Sequence, residues 1–271
     1  MQVNSKVVVT LTTVPERLNN TSYGERGVQS CIKSLCEQTY DDYEIHFNIP
    51  IVYKLHKVGY DIPEWITDLQ NQYFQLKIYR VEDVGPSTKI LPTIQRVEDP
   101  STIIIVVDDD MVYRKELVEE HVKNQFLLEN CAIGYDGLDL INPPVFNDPR
   151  DHYVSLVPNN IRVKVLQHYK SVSYKRSFFD KDLFTDFVGK TSSDDILLSA
   201  YMGYKNIHKI VATYEEDTHC DTIEEWHEQV GKSFPIINPI AHDRAQGCSD
   251  PEAEIRFFRP QEFEEKGYLE R

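Results

Sequence analysis

Five consecutive apolar residues, Ile103-Ile104-Ile105-Val106-Val107, run without a break into Asp108-Asp109-Asp110. A short β-branched run of this kind reads as a strand buried on both faces, as in a parallel α/β sheet. In open α/β sheets, ligands bind beyond the carboxyl ends of the strands, and the aspartates stand at that end. Three adjacent carboxylates repel one another and are costly unless solvated or paired with a cation. A divalent ion such as Mn²⁺ or Mg²⁺ prefers hard oxygen ligands and can bridge them to a diphosphate. The plainer alternative is an acidic turn capping the next helix. The apolar run ahead of the triplet favours the metal site.

The segments before it fit the same architecture. Lys6 to Thr12 is continuous and β-branched, and predicts a first buried strand. Pro15 and the polar run Asn19 to Ser22 break it. From Gly27 to Gln38, Val28, Cys31, Ile32 and Leu35 recur at helical spacing. Tyr43, Ile45, Phe47 and Ile49 then alternate with polar residues, as a strand does. Trp65 to Tyr73 predicts a helix and Leu76 to Val81 a strand. Gly85-Pro86-Ser87-Thr88-Lys89 turns into a helix whose first turn tolerates Pro92. A polar helix is expected at Arg114 to Glu129. This is the strand–helix–strand opening of an α/β protein.

The second half is less regular. Tyr153 to Val157 and Arg162 to Leu166 predict two strands joined by a Pro158-Asn159-Asn160 turn, as a hairpin. A helix is expected from Asp195 to Met202, with Ser192, Ser193 and Asp194 as candidate caps. Ile207 to Val211 reads as a weaker strand, and the chain beyond Gly231 as an irregular tail. Neither an internal repeat nor a clean linker divides the sequence. One domain over 1–271 is expected, with a nucleotide-binding half at about 1–130, a catalytic half at about 131–231 and the tail at 232–271.

Ser193-Asp194-Asp195-Ile196 is the second acidic motif. A carboxylate there can take the proton of an attacking hydroxyl, whereas the bland reading is a helix N-cap. Lys89 can bind phosphate or neutralise the aspartates, against a default of surface lysine, and Arg17 is open in the same way. His219, His227 and His242 are candidates to complete a metal shell, with nothing in their spacing to choose between them. Tyr169, Tyr174, Phe178 and Phe179 can stack on a sugar or pack in the core.

The formal net charge is −15, from 44 acidic and 29 basic residues, which argues against a nucleic-acid partner. No apolar run approaches the roughly 20 residues that span a bilayer, and Val7 to Val9 is too short for a signal-peptide core. The five cysteines are odd in number and lack paired zinc spacing, so reduced thiols in a soluble, cytoplasmic protein are expected. The sequons at Asn19-Asn20-Thr21-Ser22 then read as coincidence.

Four pieces in order resemble glycosyltransferases of the GT-A fold with a DxD motif: Thr10 to Arg17, Gly85 to Lys89, Ile103 to Asp110, and Ser193 to Ile196. They span residues 7 to about 212. The resemblance implies a Rossmann-like α/β fold, with a mostly parallel central sheet flanked by helices and a small antiparallel element in the second half. It implies a nucleotide-sugar donor, with UDP favoured and GDP next, and Mn²⁺ or Mg²⁺ as cofactor. Thr12, Thr13 and Arg17 would lie near the nucleotide, and Lys89 near the ribose or diphosphate.

Asp108, Asp109 and Asp110 match the DxD motif, with Asp109 on the cofactor-binding side. Asp108 and Asp110 fill its ends as the metal-site residues, Asp110 as the direct ligand and Asp108 toward the ribose. Asp195 matches the second acid of the pair that inverting members use as base. Asp194 stands where many relatives have Glu, which leaves the base open between the neighbours. Two other readings compete: a nucleotidyltransferase acting on sugar phosphates, and an inert nucleotide-sugar- or carbohydrate-binding protein. The first would show a glycine-rich, basic loop after the first strand, whereas residues 10 to 24 hold one glycine and one basic residue.

Overall fold

A computed structural model describes residues 5–19, 27–139, 152–155, 161–212, 266 and 268. In chain order, the strands of the first half are β1 (Val7–Thr12), β2 (Tyr43–Pro50), β3 (Val52–Tyr53), β4 (Val58–Gly59), β5 (Leu76–Val81) and β6 (Ile103–Val106). Those that follow are β7 (Cys131–Gly134), β8 (Asp136–Asp139), β9 (His152–Ser155), β10 (Ile161–Arg162), β11 (Val165–Leu166), β12 (Val172–Lys175) and β13 (His208–Val211). The helices are α1 (Pro15–Leu18), α2 (Val28–Cys36), α3 (Glu64–Gln72), α4 (Leu91–Arg96), α5 (Leu117–Leu127) and α6 (Asp194–Tyr204). The chain forms two compact units: Met1–Glu129 with His168–Phe179, and Asn130–Gln167 with Asp180–Arg271.

The first unit is built on strands in the order β12-β6-β1-β2-β5. β1 lies parallel to β2 and β6, and β2 parallel to β5, while β12 returns antiparallel along β6. The apolar runs read from the sequence are its centre. Val7, Val9, Leu11, Ile45, Phe47, Ile104, Ile105 and Val106 are wholly buried or nearly so. Burying each such side chain contributes about 1.5–3 kcal/mol before the entropy cost. Helix α3 packs on β5, α4 on β2, and α5 on β6 and β12. Pro92 sits in the first turn of α4, where its missing N–H costs little. Because β1, β2, β5 and β6 run parallel, the loops that follow them emerge at one edge of the sheet.

A buried polar cluster ties α5 to β12. His121 is wholly buried, its Nδ1 2.9 Å from Ser173 Oγ and its Nε2 2.8 Å from Ser171 Oγ. Ser171 has φ of 86°, a strained conformation for a residue with a side chain. Burial, and then the Arg114 guanidinium, push the His121 pKa down to about 3 from 6.5. The folded pKa is depressed, so stability is complete above pH 6.5 and is lost as pH falls from there toward 3. The loss is on the order of 1.4 kcal/mol per pH unit. Urea midpoints measured from pH 7 to 4 should fall with this slope, and His121→Asn should flatten it. Equal slopes in the two proteins would show that His121 is not the group responsible.

The second unit holds β13 between β10, antiparallel, and β7, parallel. A smaller antiparallel sheet has the order β11-β8-β9. The expected hairpin is therefore corrected. β9 and β11 do not pair with each other; both flank β8, and β10 pairs with β13. The sequence reading missed β8 because Asp136-Gly137-Leu138-Asp139 lacks strand character. Gly137 is nonetheless required there, since a Cβ would lie 2.8 Å from both Val163 Cγ2 and the Val165 carbonyl oxygen. Helix α6 packs on β11 and β13. The tail at 232–271, apart from residues 266 and 268, lies outside the described residues.

Candidate nucleotide-binding and catalytic site

The acidic triplet leaves β6 at the edge where the parallel strands end, and the loops after β1 and β5 close on it. After β1, the chain turns at Thr13 and Val14 into α1, with Pro15 as its first residue. This short helix faces Arg17 toward the triplet. Arg17 forms an ion pair with Asp109 and a second, at 3.1 Å, with Asp110. The Thr13 hydroxyl donates to the other oxygen of Asp109. Asp109 is buried, so its charge is met inside the protein by Thr13 and Arg17.

After β5, Asp83 organises the loop. Its carboxylate accepts from Lys54 N–H and Gly85 N–H, each at 2.8 Å. Gly85 has φ of 73°, which glycine adopts without strain, and the chain then enters a short 3₁₀ turn at Ser87–Lys89. Lys89 is buried, not the surface lysine of the default reading, and its ammonium pairs with Asp108. Its carbonyl is held from behind by the Thr10 hydroxyl and by Asn48 Nδ2 at 3.2 Å. Asn48 Nδ2 also donates to Thr93 Oγ1 at 3.0 Å. Thr12 lies at the same edge, its hydroxyl donating to the Asn48 carbonyl at 2.7 Å.

Tyr113 completes the cradle. Its hydroxyl accepts from Asp108 N–H at 2.9 Å and lies 3.0 Å from the Tyr169 carbonyl. Burial, and then nearby Cys31 and Asp108, hold it protonated far above its ordinary range. Sequence reasoning passed over Tyr113, Thr10 and Asn48, because a lone Tyr, Thr or Asn in a strand or loop carries no signal of its partner. Tyr174, Phe178 and Phe179 are buried in the core, while Tyr169 is partly exposed.

Three carboxylates thus face two cations. Burial, then Asp109 and Asp108, raise the Asp110 pKa to about 7, against the opposing pull of Arg17 and Lys89. Burial works against the Arg17 charge, but Asp109 and Asp110 outweigh it and hold its pKa above the usual value. The buried Arg17 Nε has no hydrogen-bond partner among the described residues. Because Asp109 holds both Arg17 and Thr13, Asp109→Asn should destabilise the fold by about 1–3 kcal/mol. A melting temperature within 1 °C of wild type would mean that the pair carries no stability.

The second acidic motif lies in the second unit. Ser193, not Asp194, caps α6, its hydroxyl accepting from Ile196 N–H at 3.3 Å. Asp194 and Asp195 fill the first turn, Asp194 buried and Asp195 half-buried. The structure therefore gathers Thr13, Arg17, Lys89, Asp108, Asp109 and Asp110 in one constellation and sets Asp194 and Asp195 at one helix start. His219, His227 and His242 lie outside the described residues. Among those described, no helix is long and apolar enough to cross a membrane.

No family model matches the chain, and no curated protein does. Solved structures do. Staphylococcus aureus TarS 1–349 in complex with UDP-GlcNAc is similar over 97% of this chain and 70% of that one, with 13% identity and a TM-score of 0.52. TarS 1–349 without a named ligand matches over 78% and 58%, with 13% identity and a TM-score of 0.47. This chain spans 43% of the TarS chain in a further match, with 14% identity and a TM-score of 0.49. At such identity the likeness is one of fold: a mixed α/β architecture with a mostly parallel central sheet flanked by helices, and small antiparallel sheets beside it.

Proposed function

We propose that the chain is a nucleotide-sugar-dependent glycosyltransferase that moves a sugar from a nucleoside-diphosphate donor, UDP-linked in the first instance, to an acceptor hydroxyl. The observation that carries this reading is the convergence of Asp108, Asp109 and Asp110 with Arg17 and Lys89 at the carboxyl edge of a parallel sheet. The fold shared with TarS, whose structure holds UDP-GlcNAc, supports the choice of donor.

The donor set suits a hard divalent cation such as Mn²⁺ or Mg²⁺. Asp110 meets Arg17 at the longer distance of 3.1 Å, and burial, then its two carboxylate neighbours, raise its pKa. Asp110 and Asp108 are the residues that would hold the ion, and a bound cation there would offset charge gathering on the departing diphosphate. The protein's own groups do the rest. Thr13 and Arg17 fix Asp109, which keeps the loop after β1 against the triplet. Arg17 Nε offers a buried donor for an acceptor oxygen on the ligand. Lys89, held by Thr10 and Asn48, places a positive charge beside the diphosphate.

On the acceptor side, Asp195 takes the proton of the attacking hydroxyl as the bond to the anomeric carbon forms and the nucleoside diphosphate leaves. The transition state has oxocarbenium character, and a single displacement inverts the anomeric centre. The test is release of UDP from UDP-GlcNAc by the purified protein with Mn²⁺ and with EDTA. Metal-dependent release supports the reading. Tight, metal-dependent binding of UDP-GlcNAc with no release would make the chain a binding protein instead.

A further inference from the structure

Tyr268 stands near the end of the chain, yet its main chain lies directly against helix α6. A Cβ placed on Gly203 would run into the Tyr268 carbonyl oxygen and stand 2.6 Å from the carbonyl carbon and 3.2 Å from Cα. Any side chain at position 203 therefore displaces Tyr268. The carbonyl that passes over Gly203 is received by Lys209, whose ammonium donates to Tyr268 O at 3.4 Å and to Ser199 O at 3.2 Å. Lys209 is wholly buried, and a buried ammonium needs acceptors of this kind.

The ring of Tyr268 is gripped as well. It packs 5.6 Å from Phe187 and 5.4 Å from Tyr204 between ring centres, and Lys266 lies 5.7 Å over its face. Phe187 in turn meets Tyr201 edge-on at 5.2 Å. Gly203 stands in the last turn of α6, where glycine is a poorer helix former than alanine, and a lysine wholly out of water is costly. Both make sense once the main chain of Tyr268 occupies the notch between them.

We propose that residues 266 and 268 belong to a C-terminal latch on α6, and that Gly203, Lys209 and Tyr268 are positioning residues for Asp194 and Asp195 at the start of the same helix. A continuous helix of this length moves as a rod. Fixing it at Gly203 therefore fixes the direction in which its first turn points. The proposal rests on the reading of Asp195 as the base.

The test uses full-length Gly203→Ala, Tyr268→Ala, Tyr268→Phe and the double alanine variant. Alanine is the better helix former, so propensity alone makes Gly203→Ala slow the hydrogen exchange of α6 amides. The latch requires the opposite: faster exchange in Gly203→Ala, with kcat for transfer down about tenfold and donor KM unchanged. Tyr268→Ala, which keeps Gly203 but removes the ring packed on Phe187 and Tyr204, should reproduce both effects, and Tyr268→Phe neither, since it retains the ring. The double variant should be no worse than either single one, because both release the same contact. Unchanged or slower exchange in Gly203→Ala overturns the latch, as do additive effects in the double variant. Faster exchange with unaltered kcat overturns the positioning role. If the wild-type protein transfers no sugar, the base reading fails by itself, and hydrogen exchange still decides the latch.

Discussion

Asp195→Ala is expected to abolish sugar transfer while leaving donor binding intact. The separation follows from the roles proposed for the residues. Every group proposed to touch the nucleotide belongs to the first unit: Thr13, Arg17, Lys89 and the triplet from Asp108. Asp195 sits in the second, in the first turn of α6, and is half-buried where Asp194 is buried. The helix start does not depend on it, because the Ser193 hydroxyl provides the cap. Loss of a general base lowers the rate by a factor of about 10²–10⁴, so kcat should fall by that factor. The nucleotide-induced rise in melting temperature should match wild type. Transfer at the wild-type rate would remove Asp195 from the mechanism, and Asp194→Asn would then be the variant to measure.

The second large effect is expected from Asp110→Ala, which should abolish the metal-dependent part of donor binding. The three aspartates are not equivalent. Asp109 is consumed by Thr13 and Arg17, and Asp108 is paired with Lys89. Among the described residues Asp110 has only the longer contact to Arg17, at 3.1 Å, and burial, then its two carboxylate neighbours, raise its pKa. Removing it takes away the most available hard oxygen ligand. Titration with UDP and Mn²⁺ should then give the same affinity as titration with UDP and EDTA. If Asp110→Ala bound donor as tightly with metal as wild type, the metal site would lie elsewhere.

Much of the first unit was legible because its signals are local. The β-branched runs at Lys6–Thr12 and Ile103–Val107 and the alternation at Tyr43–Ile49 each encode burial on a strand within a few residues. The order of those strands then sets the triplet at the edge where the parallel strands end. What the sequence concealed is pairing across distance. Nothing near Arg17 announces that it closes on Asp109, and nothing near Tyr113 that its hydroxyl holds the main chain of Asp108. Lys89 looks like a surface lysine until the turn at Gly85 directs it inward.

The return strand Val172–Lys175 hides for a related reason. Its Ser173 is polar but buried, because it bonds His121 and Gln125. In the second unit, the Pro158-Asn159-Asn160 signal suggested that its flanking strands pair with each other. The partner they share, β8, carries glycine and aspartate for reasons that only its packing against Val163 and Val165 explains.

The central claim is that Asp108, Asp110, Arg17 and Lys89 form a metal-assisted nucleoside-diphosphate site. The most direct measurement is the melting temperature of the protein with UDP, GDP, CMP and their common sugars, each with Mn²⁺, Mg²⁺ or EDTA. A ligand that binds only the native state raises the melting temperature according to its concentration and affinity. The expected result is a rise with UDP or UDP-GlcNAc in Mn²⁺ or Mg²⁺ that EDTA removes. A folded protein showing no shift with any nucleotide, with or without metal, would contradict the nucleotide-sugar site.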